Sequence, residues 1–275
     1  LTMSAENEFK LRKIVIAGGG TAGWMAAAAL SKTLGELVDI KLIESEQIGT
    51  VGVGEATIPP IITFHRMLDI PENEFMRETQ ATFKLGISFE NWRVDGEKYI
   101  HSFGTTGKDH WTSGFQHFWL NGLKRGHKTS YDDYCLELKA ALDNKFSHLP
   151  NEGMSYAFHL DSSRYAKFLR RFSEKNGVER VEGKINKVNL NGETGFISSL
   201  DIDDGTTLEG DIFIDCTGFR GLLIGEALGI EFEDWTDHLP CNGAIAVQTE
   251  STQPAVPYTR SIAHEAGWQW RIPLQ

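Results

Sequence analysis

The glycine-rich stretch "AGGGTAG" has the residue types and spacing of a dinucleotide-binding turn. Residues 14–17 predict a short buried strand and residues 22–34 predict a helix, which is the context that the pattern G-x-G-x-x-G requires. Gly18 permits a tight turn, Gly20 lets the backbone approach a pyrophosphate, and Gly23 lets the helix pack closely on the strand. The helix N-terminus then faces the phosphate charge. A plain α/β turn without a ligand is the alternative.

Glu44 adds a second element to the same predicted site. It ends the second predicted strand, "VDIKLIE", about 20 residues beyond the glycines. An acidic side chain at that distance accepts hydrogen bonds from the hydroxyl groups of an adenosine ribose. The glycines, the helix and Glu44 together predict dinucleotide binding, but they do not distinguish FAD from NAD.

A second strand that runs into a glycine turn favours FAD. Residues 178–219 predict several short strands, with a hairpin turn at Asp204-Gly205. The last of these strands, residues 211–216, leads into "CTGFRG", which resembles the two-part FAD site of the flavin hydroxylase and glutathione-reductase superfamily. An ordinary buried strand that ends in a glycine turn is the alternative. The residues that would lie near the ribityl chain and the pyrophosphate are Asp215, Thr217 and Gly218.

Lys84 is the candidate catalytic residue. Its neighbours in "TFKLGI", Phe83, Leu85 and Ile87, predict apolar surroundings, so we expect the amine to be partly buried. A desolvated ammonium group loses proton affinity and becomes a nucleophile or a directed hydrogen-bond donor. A solvated surface lysine is the alternative for this residue taken alone.

Two further motifs predict walls of a site. "WQWRIP" predicts a strand in which Trp268, Trp270 and Ile272 share one face and form a rigid apolar wall. Core packing is the alternative for such a tryptophan pair. "TVGVGEATIP" carries Gly52 and Gly54, whose spacing suits a loop that lies close to a cofactor, with a simple turn as the alternative.

In this order, the motifs resemble the flavin-dependent halogenase family typified by the tryptophan halogenases. The resemblance covers about residues 13–273, and the W-x-W-x-I-P signature, which ends at Pro273, separates these halogenases from related flavin monooxygenases. It implies an α/β fold, namely a Rossmann-like FAD-binding fold of the flavin hydroxylase/glutathione-reductase type with a substrate-side insertion. It assigns residues 11–56 and 155–275 to FAD binding and residues 57–154 to the inserted substrate and catalytic region.

The resemblance also implies the reaction and the residues that serve it. FAD used as FADH2, O2 and chloride or bromide give hypohalous acid, and Lys84 directs the halogen onto an electron-rich aromatic such as tryptophan or indole. A separate NAD(P)H-dependent flavin reductase supplies the FADH2, and no metal takes part. The implied cofactor-binding residues are Gly18, Gly20, Thr21, Ala22, Gly23, Glu44, Gly52, Gly54, Glu55, Ala56, Asp215 and Gly218. The residues implied to line the substrate pocket or the barrier are His101, Phe103, Trp268, Trp270, Ile272 and Pro273.

Two alternative functions stay open. One is a flavin-dependent monooxygenase (a hydroxylase), and the other is an inactive FAD-binding fragment of a halogenase. The second arises because the family continues past W-x-W-x-I-P, into a region with a glutamate that pairs with the lysine. We therefore expect the chain to be truncated, with its C-terminal part missing, and to show weak activity or none alone. The sequence does not identify the aromatic substrate or the preferred halide.

Composition excludes other classes of protein. The chain has 27 Lys and Arg against 38 Asp and Glu, for a formal net charge of −11, which argues against a nucleic-acid surface. Its three cysteines form no C-x-x-C pair or Cys/His cluster, so we predict neither a disulfide scaffold nor a zinc site. The chain has no apolar run of membrane-spanning length and no signal-peptide pattern. We expect a cytoplasmic enzyme, with a homodimer as one open state of assembly.

Overall fold

The structure, a computed structural model, describes residues 11–48, 53–148 and 153–275. The chain divides into two compact units. Unit 1 contains the described residues 11–48 and 162–244, and unit 2 contains the other described residues. The functional division into residues 11–56, 57–154 and 155–275 stays a prediction.

The elements of both units are numbered in chain order. The strands are β1 (Lys13–Ala17), β2 (Asp39–Glu44), β3 (Gly54–Ala56), β4 (Thr82–Lys84), β5 (Gly86–Glu90), β6 (Lys98–Ser102), β7 (Ala157–Asp161), β8 (Glu179–Glu182), β9 (Ile185–Leu190), β10 (Ile197–Ile202), β11 (Thr207–Glu209), β12 (Ile212–Asp215), β13 (Thr259–His264) and β14 (Gly267–Arg271). The α-helices are α1 (Thr21–Leu34), α2 (Pro60–Met67), α3 (Glu72–Thr79), α4 (Phe115–Lys124), α5 (Leu136–Leu142) and α6 (Ser162–Lys175). A π-helical turn spans Leu222–Ala227.

Unit 1 is organised around a four-stranded parallel sheet in the order β12-β1-β2-β8. The apolar residues of β1 are all buried, as expected for a strand that is covered on both faces. Its alanine-rich sequence favours a helix in α1, which follows β1 and packs beside α6. A three-stranded antiparallel sheet, β11-β10-β9, adds Leu200 and Leu208 to the core that Val15 and Ile43 form.

Unit 2 contains two sheets. The first is antiparallel, in the order β3-β7-β4, and the second has the order β14-β13-β5-β6, in which β13 and β5 are parallel neighbours. Side chains alternate between the faces of a strand, so Thr82 and Lys84 share one face of β4 and Phe83 lies on the other. On that other face Phe83 stacks on Phe146, with ring centroids 3.8 Å apart, and also contacts Phe158.

The structure confirms the local predictions of unit 1 and corrects two in unit 2. The strand at 14–17, the helix at 22–34 and the hairpin at Asp204-Gly205 are confirmed. The loop predicted at Gly54 was wrong, because residues 54–56 pair with β7 as a strand. The strand predicted through Ile272 ends one residue earlier, at Arg271, so Ile272 follows β14.

Candidate functional site

The glycine turn after β1 has no room for side chains. Gly18 has φ +106°, and a Cβ there would lie 2.2 Å from the carbonyl oxygen of Cys216. A Cβ on Gly23 would lie 1.9 Å from the carbonyl oxygen of Gly18. Gly20, which precedes α1, has no side chain to cap the helix, and no acidic residue lies in the first turn, which begins at Thr21 and Ala22. The turn therefore leaves backbone amides available at a helix N-terminus, which is an arrangement that binds phosphate.

The second glycine turn lies beside the first. β1 pairs in parallel with β12, so that Ala17 is opposite Asp215, and the amide of Cys216 donates to the carbonyl of Ala17 at 2.8 Å. Gly218, just beyond, also has a positive φ, +69°. The structure thus brings both predicted turns together at the carboxyl ends of adjacent parallel strands, where open α/β sheets bind their ligands.

The carboxylate of Asp215 is occupied within the chain. Its Oδ1 accepts hydrogen bonds from the amide and the hydroxyl of Thr217, at 3.0 and 2.6 Å. Its Oδ2 accepts from the amides of Leu223 and Ile224, at 2.8 and 3.0 Å. Burial raises the pKa of Asp215, but these hydrogen bonds lower it by more, so the pKa lies below its ordinary value. Asp215 therefore orders the turn that starts the π-helical segment.

Glu44 lies where the sequence predicts it, at the end of β2 beside the glycine turn. A Cβ on Gly19 would lie 1.8 Å from its Oε2. Its Oε1 accepts from Nε of Arg180 at 2.5 Å, and its Oε2 accepts from Nε1 of Trp24 at 3.1 Å. Its second arginine contact is with Arg170, at 3.5 Å. These partners fix the carboxylate beside the two glycine turns, which together form a glycine cradle. The shape of this cradle and the amides at the N-terminus of α1 fit a dinucleotide.

Lys84 is the most deeply buried charged group of the predicted site, with 2% of its surface exposed. Its Nζ donates to the carbonyl oxygen of Thr57 at 2.9 Å and lies 5.2 Å from the ring centroid of Phe103. Within the described residues no carboxylate pairs with it. Burial lowers the pKa of Lys84 from 10.5 to about 8. At pH 7 about one amine in ten is then uncharged, against about one in three thousand for an exposed lysine.

The burial of Lys84 was predicted, but part of the reason differs. Phe83 was expected to shield it, yet Phe83 lies on the opposite face of β4. On the Lys84 face lies His159, which is fully buried. Its Nδ1 is 2.9 Å from Oγ1 of Thr82, and its Nε2 is 2.9 Å from Oγ1 of Thr259. Burial, and then the charge of Lys84, lower the pKa of His159 to about 3, so the imidazole is neutral.

The second sheet of unit 2 brings three of the six predicted pocket residues onto one face. Trp270 pairs with Ser261 and Trp268 with Ala263, while His101 lies opposite Ile87, the partner of Thr259. Since paired residues point to the same side, this face carries the residues Trp268, Trp270, Ile87 and His101. The two tryptophans are 45% and 46% exposed.

Phe103, Ile272 and Pro273 lie just beyond strand ends. The amide of Phe103 donates to the carbonyl of Leu85 at 2.8 Å, and the ring of Phe103 lies beside the Lys84 amine. Cγ2 of Ile272 lies 3.3 Å from the position of a Cβ on Gly54. The carbonyl of Pro273 accepts from the Thr82 hydroxyl at 2.8 Å. The chain after β14 therefore runs along the Lys84 face of the first sheet.

The predicted cofactor residues fall in both units. Gly54, Glu55 and Ala56 belong to unit 2, where burial raises the pKa of Glu55, and the remaining described ones belong to unit 1. Gly52 lies outside the described residues. The cofactor and pocket roles assigned to all of these residues stay predictions.

Sequence reasoning missed several residues that lie against predicted site residues, among them Thr57, His159 and Arg180. A histidine inside the apolar strand "AFHLD" is the one signal that could have been used, because a buried imidazole needs partners. Nothing in the local sequence indicates that Thr57 offers its carbonyl to Lys84, or that Arg180 reaches Glu44.

The described residues show no sign of two other classes of site. No group of three or more His, Cys, Asp or Glu side chains in residues 11–48, 53–148 and 153–275 is placed to hold a metal ion. In the same part of the chain, no helix combines the length and the apolar character that crossing a membrane requires. The three cysteines, Cys135, Cys216 and Cys241, are free thiols.

Comparison with known proteins identifies the family. The family model described as tryptophan halogenase matches residues 13–275. The tryptophan 6-halogenase of Streptomyces albogriseolus is 39% identical over 289 residues, and the tryptophan 7-halogenase of Lentzea aerocolonigenes is 41% identical over 287 residues. Each match covers 96% of this chain and 54% of the relative, so the chain spans about half the length of the curated relatives it matches.

Solved structures give the same result for the fold. A flavin-dependent halogenase from Xanthomonas campestris is 59% identical with a TM-score of 0.90, and the match covers 97% of this chain and 54% of that one. A flavin-dependent halogenase from Brevundimonas sp. BAL3 is 41% identical with a TM-score of 0.85, covering 96% and 55%. The α/β fold and the family predicted from the motifs are confirmed. The chain therefore belongs to the tryptophan halogenase family of flavin-dependent halogenases, which are oxidoreductases.

Proposed function

We propose that the protein of which this chain forms part is an FADH2-dependent halogenase that acts on an electron-rich aromatic ring. The observation that carries the proposal is the Lys84 amine, which is almost fully buried, carries a lowered pKa and lies beside the ring of Phe103. A structural lysine at a protein surface needs neither the burial nor the lowered pKa. An amine that reacts with hypohalous acid or binds it benefits from both, because burial excludes water and the lowered pKa makes the neutral amine accessible.

FAD is the cofactor that the glycine cradle of unit 1 fits. In the proposal, the amides of the α1 N-terminus bind the pyrophosphate, the turn at Gly18 lets the backbone at Gly20 approach it, and Glu44 accepts from the adenosine ribose. Gly218 leaves space beside the ribityl chain, since a Cβ there would meet nothing within 4 Å. When bound and reduced, the flavin supplies the chemistry that converts O2 and chloride or bromide into hypohalous acid.

Lys84 then controls where the halogen goes. In one route its neutral amine attacks the halogen of hypohalous acid, an N–halogen bond forms, and hydroxide leaves and takes the amine proton as water. In the other, the ammonium group donates a hydrogen bond to the oxygen of hypohalous acid and holds it in place. A pKa of about 8 keeps both protonation states accessible at neutral pH. In either route the aromatic carbon accepts the halogen and releases a proton.

The apolar residues of unit 2 have a supporting part in the proposal. His101 and Phe103 contact the aromatic substrate, and Trp268 and Trp270 separate it from the oxidising centre together with Ile272 and Pro273. Aromatic walls suit both tasks, because they are rigid, exclude water and stack on aromatic rings. We also propose a separate flavin reductase as the source of FADH2 and a cytoplasmic setting, as the family suggests.

Mass spectrometry of the reaction products tests the proposal. The chain is assayed alone and fused to the region of the Xanthomonas halogenase that it does not span, with FAD, a flavin reductase, NADH, bromide, air and catalase. Tryptophan and indole serve as substrates. A product with the bromine isotope doublet supports the halogenase. An oxygenated product indicates a monooxygenase instead, and flavin reoxidation without any product from either protein contradicts the proposed substrate class.

A further inference from the structure

His159 is a buried titratable residue that the proposed chemistry does not use. It lies on β7 between the strands β3 and β4, directly opposite Thr82. Thr82 and Lys84 are two apart on β4 and point to the same side, so the imidazole contacts the strand that carries the amine on the amine's own face. The ring makes one hydrogen bond on each side, to Thr82 and to Thr259.

Counting protons fixes the state of this ring. The Thr82 hydroxyl has one proton, and the carbonyl of Pro273, at 2.8 Å, can only accept it. The Thr82 oxygen must therefore accept from Nδ1 of His159, so Nδ1 carries the proton. Since the ring is neutral, Nε2 is the acceptor and the Thr259 hydroxyl donates to it. Every donor and acceptor in the hydrogen-bond series from Thr259 through His159 and Thr82 to Pro273 then has a partner.

β7 also fixes the other end of Lys84. The carbonyl that accepts from Nζ belongs to Thr57, whose amide and hydroxyl both bond to the carbonyl of Phe158 at 2.9 Å. The amide of Phe158 donates back to the Thr57 hydroxyl at 3.0 Å. Two consecutive residues of β7 thus hold the strand of Lys84 through Thr82 and the amine of Lys84 through Thr57.

We propose that His159 is a positioning residue that sets the location of the Lys84 amine, by donating from Nδ1 to Thr82 and so tying β4 to the carbonyl of Pro273. The inference deepens the proposed function and rests on it for its catalytic consequence. β4 is only three residues long, so its backbone pairing alone holds it weakly, and the side-chain hydrogen bonds decide its position. Loss of the Thr82 bond frees Lys84 to move toward water.

Two matched pairs of variants separate positioning from general packing. His159→Asn keeps an amide donor at the place of Nδ1, whereas His159→Gln extends its amide toward Thr259. Thr82→Ser keeps the hydroxyl and Thr82→Val removes it. Thr259→Val is the control, because it removes a hydroxyl bonded to the other side of the same ring. Thermal melting of each variant shows that it is folded.

The readout is the pKa of Lys84 itself, taken from the 15Nζ chemical shift in protein that contains 13C,15N-lysine. The Lys84→Met variant assigns the signal, and no reagent has to reach the buried amine. We expect a midpoint near pH 8 in the wild type, which rises by about one unit or more in Thr82→Val and His159→Gln because the ammonium gains water. Thr82→Ser, His159→Asn and Thr259→Val should stay within a few tenths of a unit of the wild type.

A long-range 1H–15N spectrum of the histidines provides a second readout, in which His159 should show the Nδ1–H tautomer. The proposal is overturned if the Nε2–H tautomer is found, if Thr82→Val and His159→Gln leave the Lys84 midpoint unchanged, or if Thr259→Val moves it equally. Neither spectrum depends on catalysis. If the midpoints shift as expected while the wild-type fusion protein forms no halogenated product, the proposed function fails and the positioning of Lys84 by His159 stands.

Discussion

In unit 1 the candidate site residues lie in loops at one end of parallel strands, whereas in unit 2 they lie on the faces of two packed sheets. The proposed unit 1 site is made mainly of backbone, because Gly18 and Gly23 leave no room for side chains and the proposed phosphate-binding groups are backbone amides at the N-terminus of α1. The candidate group of unit 2 is a side chain, Lys84, whose amine donates to the backbone carbonyl of Thr57 and whose strand is held, through Thr82, by His159.

The difference shows what each site can tolerate. A backbone site has no side chain to remove, so it fails when a side chain is added. A side-chain site fails when its hydrogen-bond partners are lost, and it carries an electrostatic cost that a backbone site does not, since a buried ammonium group is unfavourable in itself. We therefore expect the unit 1 site to be sensitive to added side chains, and the unit 2 site to be sensitive to lost hydrogen-bond partners and to pH.

The largest effect should come from adding one methyl group to the unit 1 turn. In Gly18→Ala the new Cβ meets the Cys216 carbonyl, and the positive φ disfavours alanine. We expect FAD affinity to fall on the order of 1,000-fold, about 4 kcal/mol, measured by quenching of flavin fluorescence. Gly192→Ala is the matched control, because a Cβ there meets nothing within 4 Å. Equal affinities for Gly18→Ala and wild type would show that cofactor binding does not depend on the geometry of this turn.

Removing the Lys84 charge should increase the stability of the folded chain at pH 7. Below pH 8 the buried ammonium costs about 3 kcal/mol, because its folded pKa of about 8 lies below the unfolded value of 10.5. Lys84→Met loses a hydrogen bond worth about 1 kcal/mol, so we expect a net gain of about 2 kcal/mol at pH 7. The cost falls as pH rises from 8 to 10.5, and the gain should vanish above that range. Chemical denaturation at pH 7 and pH 10.5 checks this, and a loss of stability at pH 7 would argue against a buried ammonium.

Acid should destabilise unit 2 through its buried histidines. Burial lowers the pKa of His159 to about 3 and that of His65 to about 4, so the unfolded chain binds more protons as pH falls below 6.5. Stability then falls by about 1.4 kcal/mol per pH unit for each histidine. His159→Asn should reduce the slope between pH 6 and pH 4.5 by one such contribution. Hydrogen exchange across that range is the measurement, and an unchanged slope in the variant would contradict the neutral, buried His159.

The smallest effect concerns an ion pair on the other face of the second sheet. Arg260 binds both carboxylate oxygens of Glu90 at 2.7 Å, and this hydrogen bonding lowers the pKa of Glu90 to about 2. We expect Glu90→Gln to lower stability at pH 7 by about 1 kcal/mol, with the loss disappearing as pH falls from 4.5 to 2. Glu97→Gln, which breaks an exposed pair with Arg93, should change little in thermal melting.

How much of each site was predictable follows the same division. The glycine turn, α1 and the place of Glu44 were all predicted, because they are consecutive along the chain and their spacing reflects local geometry. Lys84 and its burial were predicted too, from a short motif. Even in unit 1, however, the arginine with the shorter bond to Glu44 was missed, because Arg180 is 136 residues away along the chain.

The unpredicted part of unit 2 depends on pairings between distant segments. Thr82 is 77 residues from His159 and 191 from Pro273, and no local pattern encodes which strand faces meet. The strand at Gly54–Ala56 was missed for the same reason, since β7 provides its pairing partner from far along the chain. Sequence patterns identified the candidate nucleophile, but the groups that hold it required the structure.

The measurement that tests the central claim most directly compares flavin reoxidation with halogen transfer in single turnovers. Reduced FAD bound to the fusion protein is mixed with O2, bromide and the aromatic substrate, while flavin absorbance and brominated product are followed together. For Lys84→Met we predict the wild-type rate of reoxidation with product reduced at least about 1,000-fold, a barrier increase of about 4 kcal/mol. Lys98→Met, which removes a more exposed lysine beside the Tyr258 ring, should behave as wild type. Undiminished product from Lys84→Met would contradict the account.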